Sequence, residues 1–205
     1  MKTHHLSMHN QYSLVNFTWR QTALVCASVL AVALLSACQS PKPPPVTSAI
    51  GTTPVAPPLV ATAELNPTQG STVKGRVTFT KMDTGVRILA DVTGLAPGKH
   101  GFHVHDKGDC SAPDAMSAGG HFNPYGTTHG GPLADMRHIG DLGNLTADAQ
   151  GHAHLDVVDV RISFEGLSSI LGHAVIVHAQ PDDLVSQPVG NAGPRLACGV
   201  IELRK

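Results

Sequence analysis

The chain has few aromatic side chains, no excess of basic charge and no apolar run long enough to cross a membrane. Aromatic residues make up 4% of the 205 residues, and 14 Lys and Arg stand against 15 Asp and Glu. Nucleic-acid-binding domains usually combine a basic stripe with aromatic platforms, so this composition argues against nucleic acid as a partner. The apolar run from Ala23 to Leu35 is shorter than the about 20 residues that a transmembrane helix needs.

Residues 1–37 have the pattern of a secretory signal peptide. Lys2 and Arg20 precede the apolar run, which has the length of a signal core. The run ends in Leu35-Ser36-Ala37-Cys38, which resembles the lipobox of bacterial lipoproteins. The resemblance implies cleavage before Cys38 and acylation of that cysteine, and two or three acyl chains anchor a protein stably in a membrane. The alternative is an ordinary signal peptide whose cleavage site precedes a cysteine.

Two of the four cysteines belong to this leader. Cys26 lies inside the apolar run, and Cys38 is the expected lipidation site. Cys110 and Cys198 remain, and an even pair of cysteines in an exported protein predicts a disulfide bond. A pair of free buried thiols is the alternative.

The rest of the chain divides into a tether and one domain. Residues 38–63 are rich in Pro, Thr, Ala and Ser without a periodic apolar face, which predicts a lipid-anchored, semi-extended tether. Residues 64–205 have the size of a single domain and carry more acidic than basic side chains. We therefore expect the chemistry to lie within residues 64–205.

Most of this domain has a β pattern. Gly, Pro, Asn and Asp separate eight short segments of alternating or β-branched residues: Ala61–Leu65, Val73–Thr80, Val86–Thr93, His100–His105, Leu142–Ala147, Ala153–Val160, Ala174–His178 and Leu196–Leu203. The pattern predicts an all-β fold, an eight-stranded antiparallel Greek-key sandwich of immunoglobulin type or a flattened barrel. Two long loops, Asp106–Gly140 and Ala179–Pro194, interrupt the strands, and loops of such length usually carry function.

Histidines concentrate in and around the first of these loops. His103 and His105 are two residues apart on a predicted strand, so both imidazoles project from the same face. Further candidate ligands follow along the chain: His121, His129, His138, Asp141 and His178. Neutral imidazoles and a carboxylate are donors that suit copper or zinc. The sequence therefore predicts a metal centre.

With these residues identified, the domain resembles copper/zinc superoxide dismutase. The matching stretches are Gly101–His105, Gly120–Pro124, His129–Pro132, Arg137–Leu145, Val177–His178 with Asp182-Asp183, and Gly190–Ile201. The resemblance covers nearly all of residues 64–203. It implies the β-sandwich fold and the dismutation of superoxide to dioxygen and hydrogen peroxide at a copper centre that cycles between Cu(II) and Cu(I).

The resemblance also implies one copper ion and one zinc ion as cofactors. The implied copper ligands are His103, His105, His121 and His178, and the implied zinc ligands are His121, His129, His138 and Asp141. Four imidazoles with an open face suit Cu(II), whereas three imidazoles and a carboxylate suit a structural zinc. His121 would bridge the two ions through its two ring nitrogens and would carry a proton during catalysis.

Two further residues support the metal ligands in this family. Asp182 would hydrogen-bond one copper ligand, His103, and one zinc ligand, His129, and the adjacent Asp183 is the alternative for that role. Arg195 would be a catalytic residue, because a fixed cation beside copper attracts and orients a small anion. The Cys110–Cys198 bond would hold the loop that positions Arg195.

Some features of the sequence leave more than one interpretation. His152 and His154 form a second His-x-His, for which an exposed strand face is expected and a second metal site is the alternative. A non-catalytic copper- or zinc-binding domain, or a metal-delivery domain, is the alternative function, and the presence of Arg195 beside all the copper ligands favours the enzyme. The expected location is the periplasmic side of a bacterial cell envelope, anchored through Cys38 to the outer membrane. The motifs leave the oligomeric state open, with a homodimer as one possibility, because bacterial and eukaryotic members pair through different faces.

Overall fold

The computed structural model describes residues 57–204. The predicted signal peptide, Cys38 and most of the predicted tether lie outside the described residues. Within the described range, the chain forms two short 3-10 helices, Met116–Ala118 and Gly166–Ser168, and nine strands: β1 (Val60–Pro67), β2 (Lys74–Lys81), β3 (Val86–Thr93), β4 (Gly98–His105), β5 (Asp141–Ala147), β6 (Ala153–Asp159), β7 (Ala174–His178), β8 (Arg195–Val200) and β9 (Glu202–Leu203). Neither of these helices is long and apolar enough to cross a membrane.

The eight predicted strands are all present, and apart from the division of the last one their ends lie within two residues of the predicted ends. The first begins at Val60, before the predicted domain boundary at residue 64. The last is divided into β8 and β9 at Ile201, whose amide donates to the carbonyl of His173 and whose carbonyl accepts from the amide of Gly172, both at 2.9 Å. Because Ile201 is bonded to this turn, the strand pairing of β8 stops before it, and β9 resumes pairing with β1.

The strands form one closed antiparallel barrel. β1 pairs with β2 on one side and with β8 on the other, so the sheet closes on itself. The chain crosses over twice, because β3 pairs with β6 rather than with β4, and β4 pairs with both β5 and β7. The predicted all-β Greek-key class is confirmed, and of the two predicted forms the structure is the barrel.

Strand β4 shows how the fold separates its core from its chemistry. Successive side chains of a strand point to opposite faces. Phe102 and Val104 point into the barrel and belong to its apolar core. His103 and His105 point out of the barrel, yet they are also fully buried, because the long loops cover this outer face. The metal-binding candidates therefore lie between a rigid sheet and a loop layer.

The barrel closes with little strand pairing along one seam, the open seam between β5 and β6. β5 and β6 share a single residue pair, Ala147 with Ala153, and diverge beyond it. A pocket of about 420 Å³ lies over the seam. Pro132 of the first long loop packs closely against Gly143 of β5, where a Cβ atom would come within 2.7 Å of the proline ring. The first long loop therefore covers part of the seam.

The predicted disulfide bond between Cys110 and Cys198 is confirmed. It joins the first long loop to β8, the strand that begins at Arg195. Beneath it, a small apolar cluster on the outer face of the barrel contains Ala115, Ala118 and Ile176. The bond and this cluster together fasten the start of the loop to the sheet.

Removal of the disulfide should destabilise the domain markedly. The two cysteines are 88 residues apart, and the chain-entropy model gives about 4.5 kcal/mol as an upper value for a loop of that size. We expect the double variant Cys110→Ser/Cys198→Ser to lose about 2–4 kcal/mol of unfolding free energy. Urea unfolding of the metal-free protein, followed by circular dichroism, measures the loss. Wild-type protein reduced with dithiothreitol is the control and should match the variant; an unchanged urea midpoint in both would contradict the prediction.

Candidate metal centre

Four histidines form the first cluster of the centre. His103 and His105 come from β4, His178 ends β7, and His121 comes from the first long loop. A β-bridge between His105 and His121 brings that part of the loop against the strand. All four side chains are buried, and their ligand atoms lie within 4.8 Å of one another. The structure thus brings together the four side chains that the sequence predicts as copper ligands.

A second cluster shares one residue with the first. His121, His129, His138 and Asp141 also have their ligand atoms within 4.8 Å of one another, and all are buried. One carboxylate oxygen, Oδ1 of Asp141, lies 2.7 Å from Nδ1 of His121, 3.0 Å from Nδ1 of His129 and 3.2 Å from Nδ1 of His138. Three imidazole nitrogens converging with one carboxylate oxygen is the donor set of a closed zinc site.

His121 faces both clusters with different ring nitrogens. Its Nδ1 is turned to Asp141, whereas its Nε2 is buried and has no hydrogen-bond partner. The ring of His121 lies with its centroid 4.0 Å from that of His103 and 5.1 Å from that of His105. A single imidazole is therefore placed between the two donor sets.

Hydrogen bonds fix the tautomers of the other imidazoles in the first cluster. The Nδ1–H of His105 donates to the carbonyl of Gly119 at 2.9 Å, and the Nδ1–H of His178 donates to the carbonyl of Gly193 at 3.0 Å. A carbonyl oxygen only accepts, so Nε2 of each neutral ring keeps its lone pair. These two Nε2 atoms face each other 3.3 Å apart. Each ring thus presents a free donor nitrogen to the centre of the cluster.

Four buried ring nitrogens within the two clusters lack any hydrogen bond in the described structure. They are Nδ1 of His103, Nε2 of His121, Nδ1 of His129 and Nδ1 of His138. A buried polar atom without a partner costs about 1–3 kcal/mol, so four such atoms converging in two clusters need an explanation. Coordination to metal ions supplies their missing partners, and the donor set therefore fits copper in the first cluster and zinc in the second.

Burial and charge set the protonation of these residues. Burial lowers the pKa of His103 to about 4 and that of His178 to about 3, so both imidazoles are neutral at neutral pH. Burial also opposes the charge on Asp141, but the neighbouring imidazoles of His121 and His129 hold its pKa well below the ordinary value. Metal ions bind neutral imidazole and ionised carboxylate, so these three residues are in the form that binds them. Burial lowers the pKa of His129, but the carboxylates of Asp141 and Asp182 outweigh burial and raise that pKa to about 9, so a metal ion must displace a proton from this ring.

Asp182 connects the two clusters. Its Oδ2 accepts a hydrogen bond from Nε2 of His103 at 2.8 Å, and its Oδ1 accepts one from Nε2 of His129 at 3.0 Å. Asp182 is 3% exposed, whereas Asp183 points outward and accepts hydrogen bonds from the amides of the following turn. Of the two aspartates that the sequence left open, the structure turns Asp182 inward.

Three residues that fasten the loops were not given a role by the sequence. Arg137 is buried and donates to the carbonyls of residues 138, 139 and 141 and to the carboxylate of Asp159. Asn144 binds both the amide and the carbonyl of Asp182, and Gln187 binds both the amide and the carbonyl of His129. No local signal marks the bonds of Arg137 to Asp159, of Asn144 to Asp182 and of Gln187 to His129, because these partners are separated by 22, 38 and 58 residues in the chain.

A pocket leads from the surface to the four-histidine cluster. It has a volume of about 440 Å³ and is lined by His105, His121, His178, Arg195, Asp114 and Met116, among others. The guanidinium of Arg195 is held by two hydrogen bonds of 2.6 Å, to the carbonyls of residues 115 and 119. Burial lowers its pKa from the ordinary value, but a guanidinium remains charged at neutral pH. The pocket thus has a fixed cation in its wall.

The second His-x-His takes no part in either cluster. His154 is exposed on β6 and its Nδ1 lies 2.6 Å from Oδ1 of Asp91 on the neighbouring strand β3. His152 is exposed as well. Among residues 57–204, neither belongs to a group of side chains that could hold a metal ion. This arrangement agrees with the exposed strand face that the sequence predicts.

Comparison with known proteins supports one family. Residues 73–201 match the family model described as copper/zinc superoxide dismutase. The chain is 44% identical over 140 residues to the extracellular superoxide dismutase (Cu-Zn) of Brugia pahangi, an alignment that covers 64% of this chain and 70% of that protein. A solved structure, described as the crystal structure analysis of the clock protein EA4, is also similar, with a TM-score of 0.65 and 42% identity over 72% of this chain and 96% of that chain.

The two neighbouring aspartates allow a matched test of the connection between the clusters. We expect Asp182→Asn to weaken zinc binding by about 10–100-fold, because it removes a charged partner that orients His129. Asp183→Asn should leave zinc affinity unchanged, since that side chain bonds only to exposed groups of the second long loop, the amides of Val185 and Ser186 and the side chain of Asn191. Competition with a chromophoric zinc chelator measures both. Equal affinities for the two variants would show that Asp182 does not support the site.

Proposed function

Because this chain belongs to the copper/zinc superoxide dismutase family, we propose the following roles for its residues in the dismutation of superoxide. The protein is an oxidoreductase that uses copper and zinc and converts superoxide to dioxygen and hydrogen peroxide. Bound copper supplies the one-electron redox chemistry by alternating between Cu(II) and Cu(I). The roles of individual residues are derived from their contacts.

Copper would be held by Nδ1 of His103 and by Nε2 of His105, His121 and His178. This assignment rests on the hydrogen bonds made by the second nitrogen of each ring, the one that does not face the centre of the cluster. In His103, His105 and His178 the opposite nitrogen donates its hydrogen to a carboxylate or carbonyl, so the remaining lone pairs converge on one point. These hydrogen bonds hold the rings in the orientation that a metal ion needs, which lowers the ordering cost of binding.

The zinc ligands are Nδ1 of His121, His129 and His138 together with Oδ1 of Asp141. This assignment is supported by Asp141, because its Oδ1 faces all three imidazoles. Its second oxygen, Oδ2, accepts hydrogen bonds from the amides of Gly130 and His138 at 3.1 and 2.8 Å. Those two bonds fix the carboxylate and leave Oδ1 for the metal. The site is closed by four protein ligands, as in structural zinc sites.

His121 also handles a proton in our proposal. His121 lines the pocket and its Nε2 has no protein hydrogen-bond partner, so this atom can hold a proton whenever it is not coordinated to copper and pass it to a reduced oxygen species. Its Nδ1 stays turned toward Asp141, which keeps the ring in place. Superoxide dismutation consumes protons, so a proton held beside the reacting oxygen serves the reaction directly.

Arg195 attracts and orients superoxide. The substrate is a small anion, and of the described residues that line the pocket Arg195 carries the only positive charge. Its hydrogen bonds to the carbonyls of Ala115 and Gly119 hold the guanidinium against the pocket wall. Gly119 also accepts the hydrogen bond of His105, so the arginine and a copper ligand are positioned by the same loop segment.

Charge reversal at Arg195 tests this role. We expect Arg195→Glu to lower the rate constant for superoxide by at least about tenfold while copper and zinc contents stay unchanged. The wild-type rate should fall as ionic strength rises, because salt screens the attraction. Pulse radiolysis at several salt concentrations, with metal analysis, measures these effects. Arg204→Glu, an equal charge change on an exposed residue outside the pocket, is the control; a similar rate for both variants would remove the assigned role.

We also propose that the protein is exported and lipid-anchored on the periplasmic side of a bacterial envelope. The support lies in the sequence: the apolar run, the motif that ends at Cys38 and the proline-rich stretch after it. The similar protein of Brugia pahangi is described as extracellular, which agrees with export.

We further propose that the protein associates as a homodimer. The candidate face of the dimer contains the exposed apolar residues Leu133 and Val160, which lie beside the open seam.

The lipid anchor is tested at the mature amino terminus. We expect mass spectrometry of protein extracted from membranes to find acylated Cys38 as the first residue, because the preceding Leu-Ser-Ala sequence directs cleavage there. Cys26→Ser should leave this product unchanged, since that cysteine would be removed with the leader. An unmodified terminus at another residue would contradict the proposal.

A further inference from the structure

We propose that Asp114 and Met116, in the wall of the metal pocket, form a capture site for incoming Cu(I) on its way to the four-histidine cluster. The inference rests on the proposed assignment of that cluster to copper. Both side chains line the pocket together with His105, His121 and His178. They are two residues apart at the start of the short 3-10 helix Met116–Ala118.

Hydrogen bonds fix this segment relative to the metal cluster. Oδ1 of Asp114 accepts from the amide of Met116 at 3.0 Å, so the carboxylate lies against the start of the helix. The carbonyls of Ala115 and Gly119, on either side of the helix, accept from Arg195. Gly119 also accepts from His105. The backbone that carries both side chains, and the carboxylate of Asp114, are therefore held beside a copper ligand and the pocket cation.

The thioether of Met116 has the right chemistry for one oxidation state of copper. Soft sulfur ligands select Cu(I), whereas Cu(II) prefers nitrogen and oxygen. Met116 is 60% exposed, so a copper donor can reach it from solvent. Met136 is similarly exposed at 56% but does not line the pocket, and it is therefore a natural control.

The carboxylate of Asp114 is otherwise unexpected in this pocket. The substrate is an anion, and a carboxylate near Arg195 weakens the attraction that the guanidinium provides. Among the described residues that line the pocket, Asp114 is the only one with a negative charge. A negative charge favours the approach of a cation, so Asp114 serves metal loading at a cost to substrate attraction.

The inner end of the pocket can take over the ion. Nε2 of His121 is buried without a hydrogen-bond partner, and Nε2 of His105 and of His178 face each other there. Transfer from the thioether to these nitrogens is a ligand exchange in which copper stays Cu(I), so no oxidant or reductant is needed. The three imidazoles bind more strongly together than one thioether, which gives the transfer its direction.

Loading kinetics of the full-length, zinc-loaded, copper-free protein test the proposal. Cu(I) is supplied anaerobically as its bicinchoninate complex, and loss of the chelate absorbance reports transfer. We expect Met116→Leu to slow Cu(I) transfer by about fivefold, with Cu(II) loading from a glycine complex unchanged. Met136→Leu should load both ions at the wild-type rate. Asp114→Asn should slow Cu(I) transfer and raise the superoxide rate constant of the loaded enzyme by about twofold.

Two outcomes would overturn the proposal. One is an unchanged Cu(I) transfer rate in Met116→Leu. The other is equal slowing of Cu(I) and Cu(II), which would mean that Met116 acts by shaping the pocket and not as a soft ligand. A wrong copper assignment would be distinguished by the final metal content, since wild-type protein would then fail to take up one copper per chain at any rate.

Discussion

The two-sided hydrogen bonding of Asp182 is the constraint on which the metal centre depends. One oxygen orients His103 on a barrel strand, and the other orients His129 in the first long loop. Asn144 in turn holds the backbone of Asp182 at both its amide and its carbonyl. A buried carboxylate is costly unless its oxygens are satisfied, and here each oxygen has an imidazole donor. The second loop, the first loop and the sheet therefore adopt one relative arrangement.

The barrel supplies the rigidity that the loops lack. The alternation along β4 gives one face to the apolar core, through Phe102 and Val104, and the other face to the metal clusters. Loop residues then complete what the strands begin, because Arg137 ties the end of the first loop to Asp159 and the disulfide ties its start to β8. The irregular backbone of the loop is held by these few strong contacts in place of a regular ladder.

Much of this arrangement follows from the sequence, because it is encoded locally. Alternation of apolar residues predicts β3 to the residue, and a run of β-branched residues does the same for β7. The two loop ranges agree with the ends of the flanking strands. The family motifs predict which side chains converge in the two clusters. Closure of the barrel, the division at Ile201 and the roles of Asn144 and Gln187 depend on partners distant in the chain. No local pattern in a single sequence encodes such contacts.

The open seam between β5 and β6 has a consequence for the protein when its loops loosen. Beyond the pair formed by Ala147 and Ala153, the facing edges of the two strands do not pair with each other. Pro132, which packs on β5 at Gly143, belongs to the same loop that carries His129 and His138. Displacement of that loop would uncover two free strand edges beside apolar surface, the arrangement that promotes intermolecular β-pairing. Ordering of the metal-binding loop thus also protects the molecule from aggregation.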